Sequence, residues 1–270
     1  MKNLLKAESR FSSWYYAEDG FEDILEDLRS KTPEMSKAAG LINESSGKMV
    51  WHLDRKNGDR SYDFAYKINP AKTPWRYIFS PSLAMREALN YRLFERLGVP
   101  VARLLAVGDI RKFFILYENF IATEYIPDTS DGRVFMPGGE MRGRTELLRE
   151  YTRLNLAELA KIHDNGVFHK AFHPRNLLWK TVDGKVSVFW IDVARCRKVS
   201  PRKMTRAVLV DLHTYFRDMK LTYEELDEFA GFYLKQRKNG TYPGGKDALI
   251  NALFKFRRRM FSKKRYTITE

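Results

Sequence analysis

Apolar positions change period about halfway along the chain. In the first half they mostly recur every second residue in short runs, as strands require. From residue 145 onward they recur every third or fourth, as helices require. Residues 48–53 predict a strand and 54–60 (DRKNGDR) a hairpin turn on Asn57-Gly58, residue types that tolerate positive φ. Residues 61–68 predict the return strand, with Tyr62, Phe64 and Tyr66 alternating to one face until Pro70 ends it. Pro81-Ser82 opens a helix over 83–97, closed by Gly98 and Pro100. Three further strands follow, over 101–108, 112–118 and 120–125. Upstream, 14–28 mixes aromatic and acidic residues at helical spacing, with Phe21, Ile24, Leu25 and Leu28 on one face.

Residues 127–144 are polar, glycine-rich and without periodicity, and predict a loop. Residues 145–163 predict a long helix with Leu148, Leu154, Leu156, Leu159 and Ile162 apolar, stopped by Asn165-Gly166. Apolar runs at 177–179 and 186–191 flank Asp183-Gly184, a second tight hairpin. Helices are then predicted over 205–219, 223–236 and 245–260. Strands first and helices afterwards make an α+β chain with a sheet-rich and a helical lobe. The boundary falls between an N-terminal lobe with a preceding helical extension, 1–126, and a helical C-terminal lobe with a basic tail, 127–270.

Composition narrows the setting. With 270 residues, 44% of them apolar, the chain carries enough for a sizeable core. A single cysteine, Cys196, precludes an intrachain disulfide and fits a reducing compartment. The start, MKNLLKAESRF, has too short an apolar patch for a signal peptide, and no run approaches the length of a membrane span. The expected location is cytoplasmic, peripheral to a membrane face. A net charge of +14 points to anionic partners.

Phosphoryl transfer from ATP needs a cation on the phosphates, metal ions held by hard oxygen ligands, and an acceptor hydroxyl aimed in line. The chain has residues of these types in a suggestive order. Lys67 ends the aromatic-alternating strand. Glu87 lies twenty residues on, within a helix stripe running Leu83, Glu87, Tyr91, Phe94. A glutamate on a largely apolar stripe calls for a buried cation, and Lys67 is the candidate. After Gly166 comes HKAFHPRN, then apolar LLW, a hairpin, and VFWI ending at Asp192, so that Asn176 and Asp192 would both reach a metal ion.

The whole resembles the protein kinase-like superfamily, whose catalytic loop reads H-R-D-x-x-x-x-N. The His173-Pro174 variant looks like the branch that phosphorylates small molecules and sugars. Within it the chain is most similar to the lipopolysaccharide core kinases, the Kdo/WaaP family, through FAYK ending at Lys67, SPSLAMREALNYRLFERLGVPVARLLAVGD, TEYI, HKAFHPRNLL and IDVAR. The resemblance implies a two-lobed kinase-like fold and transfer of phosphate from ATP, with Mg²⁺ or Mn²⁺, to a Kdo or heptose hydroxyl. It implies that Lys67, tethered by Glu87, holds the α- and β-phosphates, and that Glu124, Tyr125 and Ile126, with Thr123 before them, line the adenine. It implies Asn176 and Asp192 as metal ligands and His173 near the γ-phosphate.

Two departures stand out. No G-x-G-x-x-G is present, and Arg55, Lys56 and Arg60 of the charged turn are the candidates to touch phosphate through side chains instead. Position 171, where the resemblance places the catalytic aspartate, is alanine. Two accounts fit: an inactivating substitution in an otherwise active kinase, or a natural pseudokinase that binds nucleotide as a scaffold. Decay would be expected to erode the metal ligands too, yet Lys67, Glu87, Asn176 and Asp192 all stand, which favours the first. Another small-molecule or protein phosphotransferase is the further alternative.

Arg195, Arg197, Lys198, Arg202, Lys203 and Arg206 crowd the stretch after Asp192, where a protein kinase would carry a long activation segment closed by A-P-E. That rim suits an anionic sugar acceptor, as on a lipid A-core, rather than a peptide. The segment LFKFRRRMFSKKRY interleaves aromatic and basic residues, which fits docking on an anionic membrane surface. Nucleic acid is the disfavoured rival partner. Asp211 either orders the helical lobe or is a surface acid.

Overall fold

The computed structural model describes residues 6–7, 12–35, 40–45, 48–71, 73–238 and 242–263. The chain divides into two compact units, 1–93 with 101–127, and 94–100 with 128–270. The last turn of the Leu83–Leu97 helix thus groups with the second unit.

The first unit contains β1 (Lys6–Ala7), β2 (Ser12–Ala17), α1 (Glu22–Met35), β3 (Leu41–Ser45), β4 (Lys48–Asn57), β5 (Arg60–Pro70), α2 (Leu83–Leu97), β6 (Leu104–Lys112) and β7 (Ile115–Glu124). Its strands form one antiparallel sheet in the order β1-β2-β6-β7-β5-β4-β3. Tyr62, Phe64, Tyr66 and Ile68 of β5 bury on one face. Phe21, just before α1, and Ile24, Leu25 and Leu28 of α1 pack there with Trp51, Leu53 and Phe120. Phe21 meets Phe64 and Tyr62 edge-on, at centroid separations of 5.0 and 5.4 Å, a favourable aromatic geometry.

Three sequence expectations change here. Residues 14–17 are strand, not the start of a helix: Trp14, Tyr15 and Tyr16 extend against β6, and the chain turns at Gly20 (φ +86°) before α1 begins. The predicted wide turn at 54–60 is mostly strand. Pairing runs out to Asn57↔Arg60 and the turn is only Gly58-Asp59, with Gly58 at φ +59°, while the Asn57 side chain donates to Gly20 O at 3.0 Å. The strands predicted at 112–118 and 120–125 are a single one. Asn119, whose polarity interrupts the apolar pattern, sits buried in the middle of β7 because its side chain holds another element.

The second unit contains β8 (Ser130–Asp131), α3 (Thr145–Asp164), β9 (Val167–Phe168), β10 (Leu177–Val182), β11 (Lys185–Trp190), β12 (Arg197–Lys198), α4 (Pro201–Met219), α5 (Tyr223–Gln236) and α6 (Gly245–Lys263). β10 pairs with β11 across the predicted Asp183-Gly184 turn, and β8 adds to β10. The segment predicted as a loop therefore holds a strand, followed by a 3₁₀ turn, Gly132–Phe135. A Cβ on Gly132 would collide with the Tyr151 hydroxyl and the Pro174 carbonyl, so only glycine allows this approach. α4 starts four residues earlier than predicted because Pro201 suits a first helical turn. Among the described residues no helix is long and apolar enough to cross a membrane.

Candidate active site

In the first unit, Lys67 lies on the sheet face opposite the α1 core, since β5 alternates and its neighbours Tyr66 and Ile68 bury. Strand register pairs Lys67 with Val50 and Ile121. Glu87 is fixed by the way α2 starts. Ser82 caps the helix, its Oγ accepting from Met85 N at 3.1 Å. Asn119 Oδ1 accepts from Ala84 N at 3.0 Å, and Asn119 Nδ2 donates to Asn69 O at 3.0 Å, which ties the helix start to the sheet. One turn further on, Glu87 takes the Lys67 ammonium with both oxygens, at 2.9 and 3.2 Å. The Glu87 side chain is 4% exposed and that of Lys67 17%. A carboxylate that dry requires its cation.

Thr123 pairs with Ala65, and so shares the Lys67 face. Glu124 N donates to Arg103 O and Tyr125 N to Asp63 O, each at 2.9 Å. The Tyr125 ring stacks on His52 at 3.7 Å, and His52 is in turn bonded to Asp63. Ile126 follows, half-buried. Arg55 and Lys56 are exposed and consecutive in β4, so they point to opposite faces. Lys56, opposite Ser61, is on the Lys67 face. Arg55, opposite Tyr62, is on the other.

In the second unit, the segment from His169 to Asn176 is held from beneath by Asp211 of α4, which is fully buried. Its carboxylate accepts from His169 N (2.9 Å), Lys170 N (2.8 Å) and His163 Nε2 (3.1 Å). Of the two readings of Asp211, the structure supports the ordering one. His163 is itself fixed by Tyr233 OH at 2.7 Å, and Tyr233 by Arg237 at 2.9 Å. Lys170 adopts φ +66°, a conformation that costs a non-glycine residue and is retained because Asp211 holds the His169 and Lys170 amides while His169 Nδ1 accepts from that of Ala171. His169 is fully buried against Phe172 and Trp190, and burial pushes its pKa down to about 4.

Ala171 is 5% exposed. Its carbonyl accepts from His173 N at 2.8 Å and from Asn176 Nδ2 at 3.0 Å, and its N–H donates to His169 Nδ1 at 3.3 Å. Backbone and neighbours thus set the frame of the loop, not the side chain at 171. His173 Nδ1 donates to Asp218 Oδ2 at 2.6 Å. Burial pushes the Asp218 carboxyl upward, but hydrogen bonds from His173 and Arg217 outweigh this and hold it below the usual carboxylate value. The sequence does not signal this dyad, because Asp218 lies 45 residues from its partner.

The β10–β11 hairpin brings Asn176 and Asp192 together. Leu177 pairs with Trp190, and Ile191 N donates to Asn176 O at 2.9 Å, so Asp192 is one residue beyond Asn176's cross-strand partner. Asp192 sits at φ +53°, another non-glycine residue held in the left-handed region. Asn176 Nδ2 is committed to the Ala171 carbonyl, so Oδ1 is the amide atom of the kind a cation would take. One amide oxygen and one carboxylate are hard donors, and among the described residues no cluster of three or more His, Cys, Asp or Glu could hold a metal. That set fits Mg²⁺, which keeps waters and phosphate oxygens, rather than an all-protein cage. The basic residues Arg195, Arg197, Lys198, Arg202, Lys203 and Arg206 are all exposed, with the Arg197 guanidinium over the Phe168 ring. Of the basic–aromatic tail, α6 carries the backbone to Lys263; the side chains from Arg257 and all residues from 264 onward lie outside the described residues.

The fold is that of the protein kinase-like proteins. One solved structure, "WaaP in complex with acyl carrier protein", matches with a TM-score of 0.63 and 18% identity, over 92% of this chain and 99% of that one. Two double-mutant structures of the PknI kinase domain of Mycobacterium tuberculosis match with TM-scores of 0.43 and 0.47 at 15% and 14% identity. They cover 79% and 80% of this chain and 94% and 93% of theirs. The family model for the lipopolysaccharide kinase (Kdo/WaaP) family matches residues 65–233, most of the chain, and the chain belongs to that family. No curated protein matches.

Proposed function

We propose that the chain is built to transfer the γ-phosphate of ATP to a Kdo or heptose hydroxyl of the lipopolysaccharide core. Lys67, tethered by Glu87, binds the α- and β-phosphates, with Lys56 on the same sheet face. Thr123, Glu124, Tyr125 and Ile126 line the adenine. Asn176 and Asp192 ligate Mg²⁺ or Mn²⁺, which when bound neutralises charge on the phosphates. His173, oriented by Asp218, lies near the γ-phosphate. The basic residues after Asp192 receive the anionic acceptor. The observation that carries this reading is the desolvated Lys67–Glu87 pair, which fixes an ammonium on a half-buried sheet face where a structural role alone would be served as well by apolar side chains.

Ala171 sets the rate. Loss of a general base typically costs about 10²–10⁴-fold, so the chain as it stands transfers phosphate poorly. We read Ala171 as an inactivating substitution in a frame otherwise kept. The same alanine favours a second reading, a nucleotide-binding pseudokinase scaffold. An acyl carrier protein is a candidate partner, since the solved WaaP structure contains one. The expected location is the cytoplasmic side of a membrane. ATP consumption with a lipid A-core acceptor, for the native chain and for Ala171→Asp, separates the readings. A gain of 10²-fold or more in the variant supports the kinase, an estimate from base removal; background turnover in both supports the scaffold.

A further inference from the structure

Five large aromatic side chains stand exposed on two segments of the first unit. The hairpin between β6 and β7 turns on Phe113 and Phe114, 77% and 43% exposed, and Tyr117 follows on β7. The segment before α2 exposes Trp75 at 69% and Phe79 at 99%. Isolated exposed apolar residues are ordinary, whereas a contiguous group is not. These two segments are joined. Arg111 Nη1 donates to both Tyr77 O (3.0 Å) and Phe114 O (3.1 Å), and Ala71 N donates to Tyr117 O at 2.9 Å. Arg111 is held in place by the buried Asp109 carboxylate at 2.7 Å. A buried ion pair therefore staples the hairpin tip to the Trp75–Phe79 segment.

The tip itself is built against local preference. Phe113 and Phe114 take φ of +48° and +68°, the two left-handed positions of a tight hairpin turn that Asn-Gly fills without strain. Bulky residues there are genuine outliers, and such strain points to a role outside folding. The group sits on a hairpin end and on the 3₁₀ turn Pro74–Tyr77 with the two residues after it. It is flanked by the exposed cations Arg76 and Lys112, while the acids on the two segments are Asp109, spent on Arg111, and the half-buried Glu118.

We infer that this surface seats the protein on an anionic phospholipid bilayer, with the aromatic rings in the headgroup region and Arg76 and Lys112 against lipid phosphate. Trp, Tyr and Phe favour that interfacial layer, and neighbouring cations add attraction to acidic lipid. The inference rests on the membrane-peripheral reading above and adds a second contact surface, independent of the basic tail.

The test is binding of the full chain to vesicles of phosphatidylcholine with and without phosphatidylglycerol, carried out also with brominated lipid. The native chain should bind the acidic vesicles, and quenching should come from Trp75, the one strongly exposed tryptophan among the described residues. Trp75→Phe should keep binding and lose the quenching. The combined variant Trp75→Ser/Phe79→Ser/Phe113→Asn/Phe114→Gly should lower the partition coefficient on the order of tenfold or more, each ring offering roughly 150–250 Å². Binding unchanged in the combined variant but lost on neutralising Arg257, Arg258 and Arg259 overturns the aromatic surface and leaves the tail. Absence of vesicle binding by the native chain overturns both. Transfer to a soluble, delipidated core oligosaccharide reports the kinase reading separately, because none of these substitutions touches the residues assigned to nucleotide or metal.

Discussion

Glu87→Leu is the perturbation that most sharply separates packing from electrostatics in the first unit. It removes the Glu87 carboxylate from the Lys67 ammonium, which keeps 17% exposure. Breaking a buried pair by removing one member costs about 3–5 kcal/mol, and the remaining exposure puts the cost at the low end, about 3 kcal/mol. At roughly 2–4 °C per kcal/mol for a chain this large, the melting temperature should fall by roughly 6–12 °C. The double variant Lys67→Met/Glu87→Leu replaces the pair with apolar groups of similar length and should return to within about 1 kcal/mol of the native chain. Its affinity for Mg·ATP should not return, because the charge-assisted bond to phosphate, worth about 1.5–3 kcal/mol, is gone. Thermal unfolding followed by circular dichroism, with titration of a fluorescent ATP analogue, reads both effects. The reasoning fails if Glu87→Leu is neutral, or if the double variant binds nucleotide like the native chain.

Asp211→Asn should cost about 3 kcal/mol or more and disorder the 169–176 segment, since an amide cannot accept from His163 and both backbone N–H groups without turning a donor toward one of them; protease nicking near Lys170 would report it. His169 makes stability pH-dependent. Above about 6.5 it is neutral folded or unfolded, but as pH falls toward 4 the unfolded chain binds a proton that the folded one refuses, so stability should drop by about 3 kcal/mol across that window. His169→Gln should flatten that part of the denaturant-midpoint profile. Phe113→Asn/Phe114→Gly should raise stability by about 1–3 kcal/mol by relieving two left-handed aromatic residues, while weakening vesicle binding; an unchanged or lowered melting temperature would contradict the strain argument.

What could be read from the sequence follows from how local each feature is. The α2 start at Pro81-Ser82, the β5 alternation and the Asp183-Gly184 turn are set by neighbouring residues and were legible. The Lys67–Glu87 pair was legible because the glutamate breaks an apolar stripe. Features decided by distant partners were not. Asn119 looks like a strand break until it is seen holding the start of α2, and Trp14 to Tyr16 look helical until β6 offers a partner. Asp218 gives no signal before α4 folds against His173. The Phe113-Phe114 turn runs against every turn preference, and only its φ values reveal it.

The most direct test of the central claim is mass spectrometry of core oligosaccharide from cells that lack the gene, carry it unchanged, or carry it with Ala171→Asp. The account predicts that the aspartate variant adds one phosphate to the core, with little or none added by the unchanged chain. Identical mass distributions in all three strains, with the variant protein folded and expressed, would contradict it.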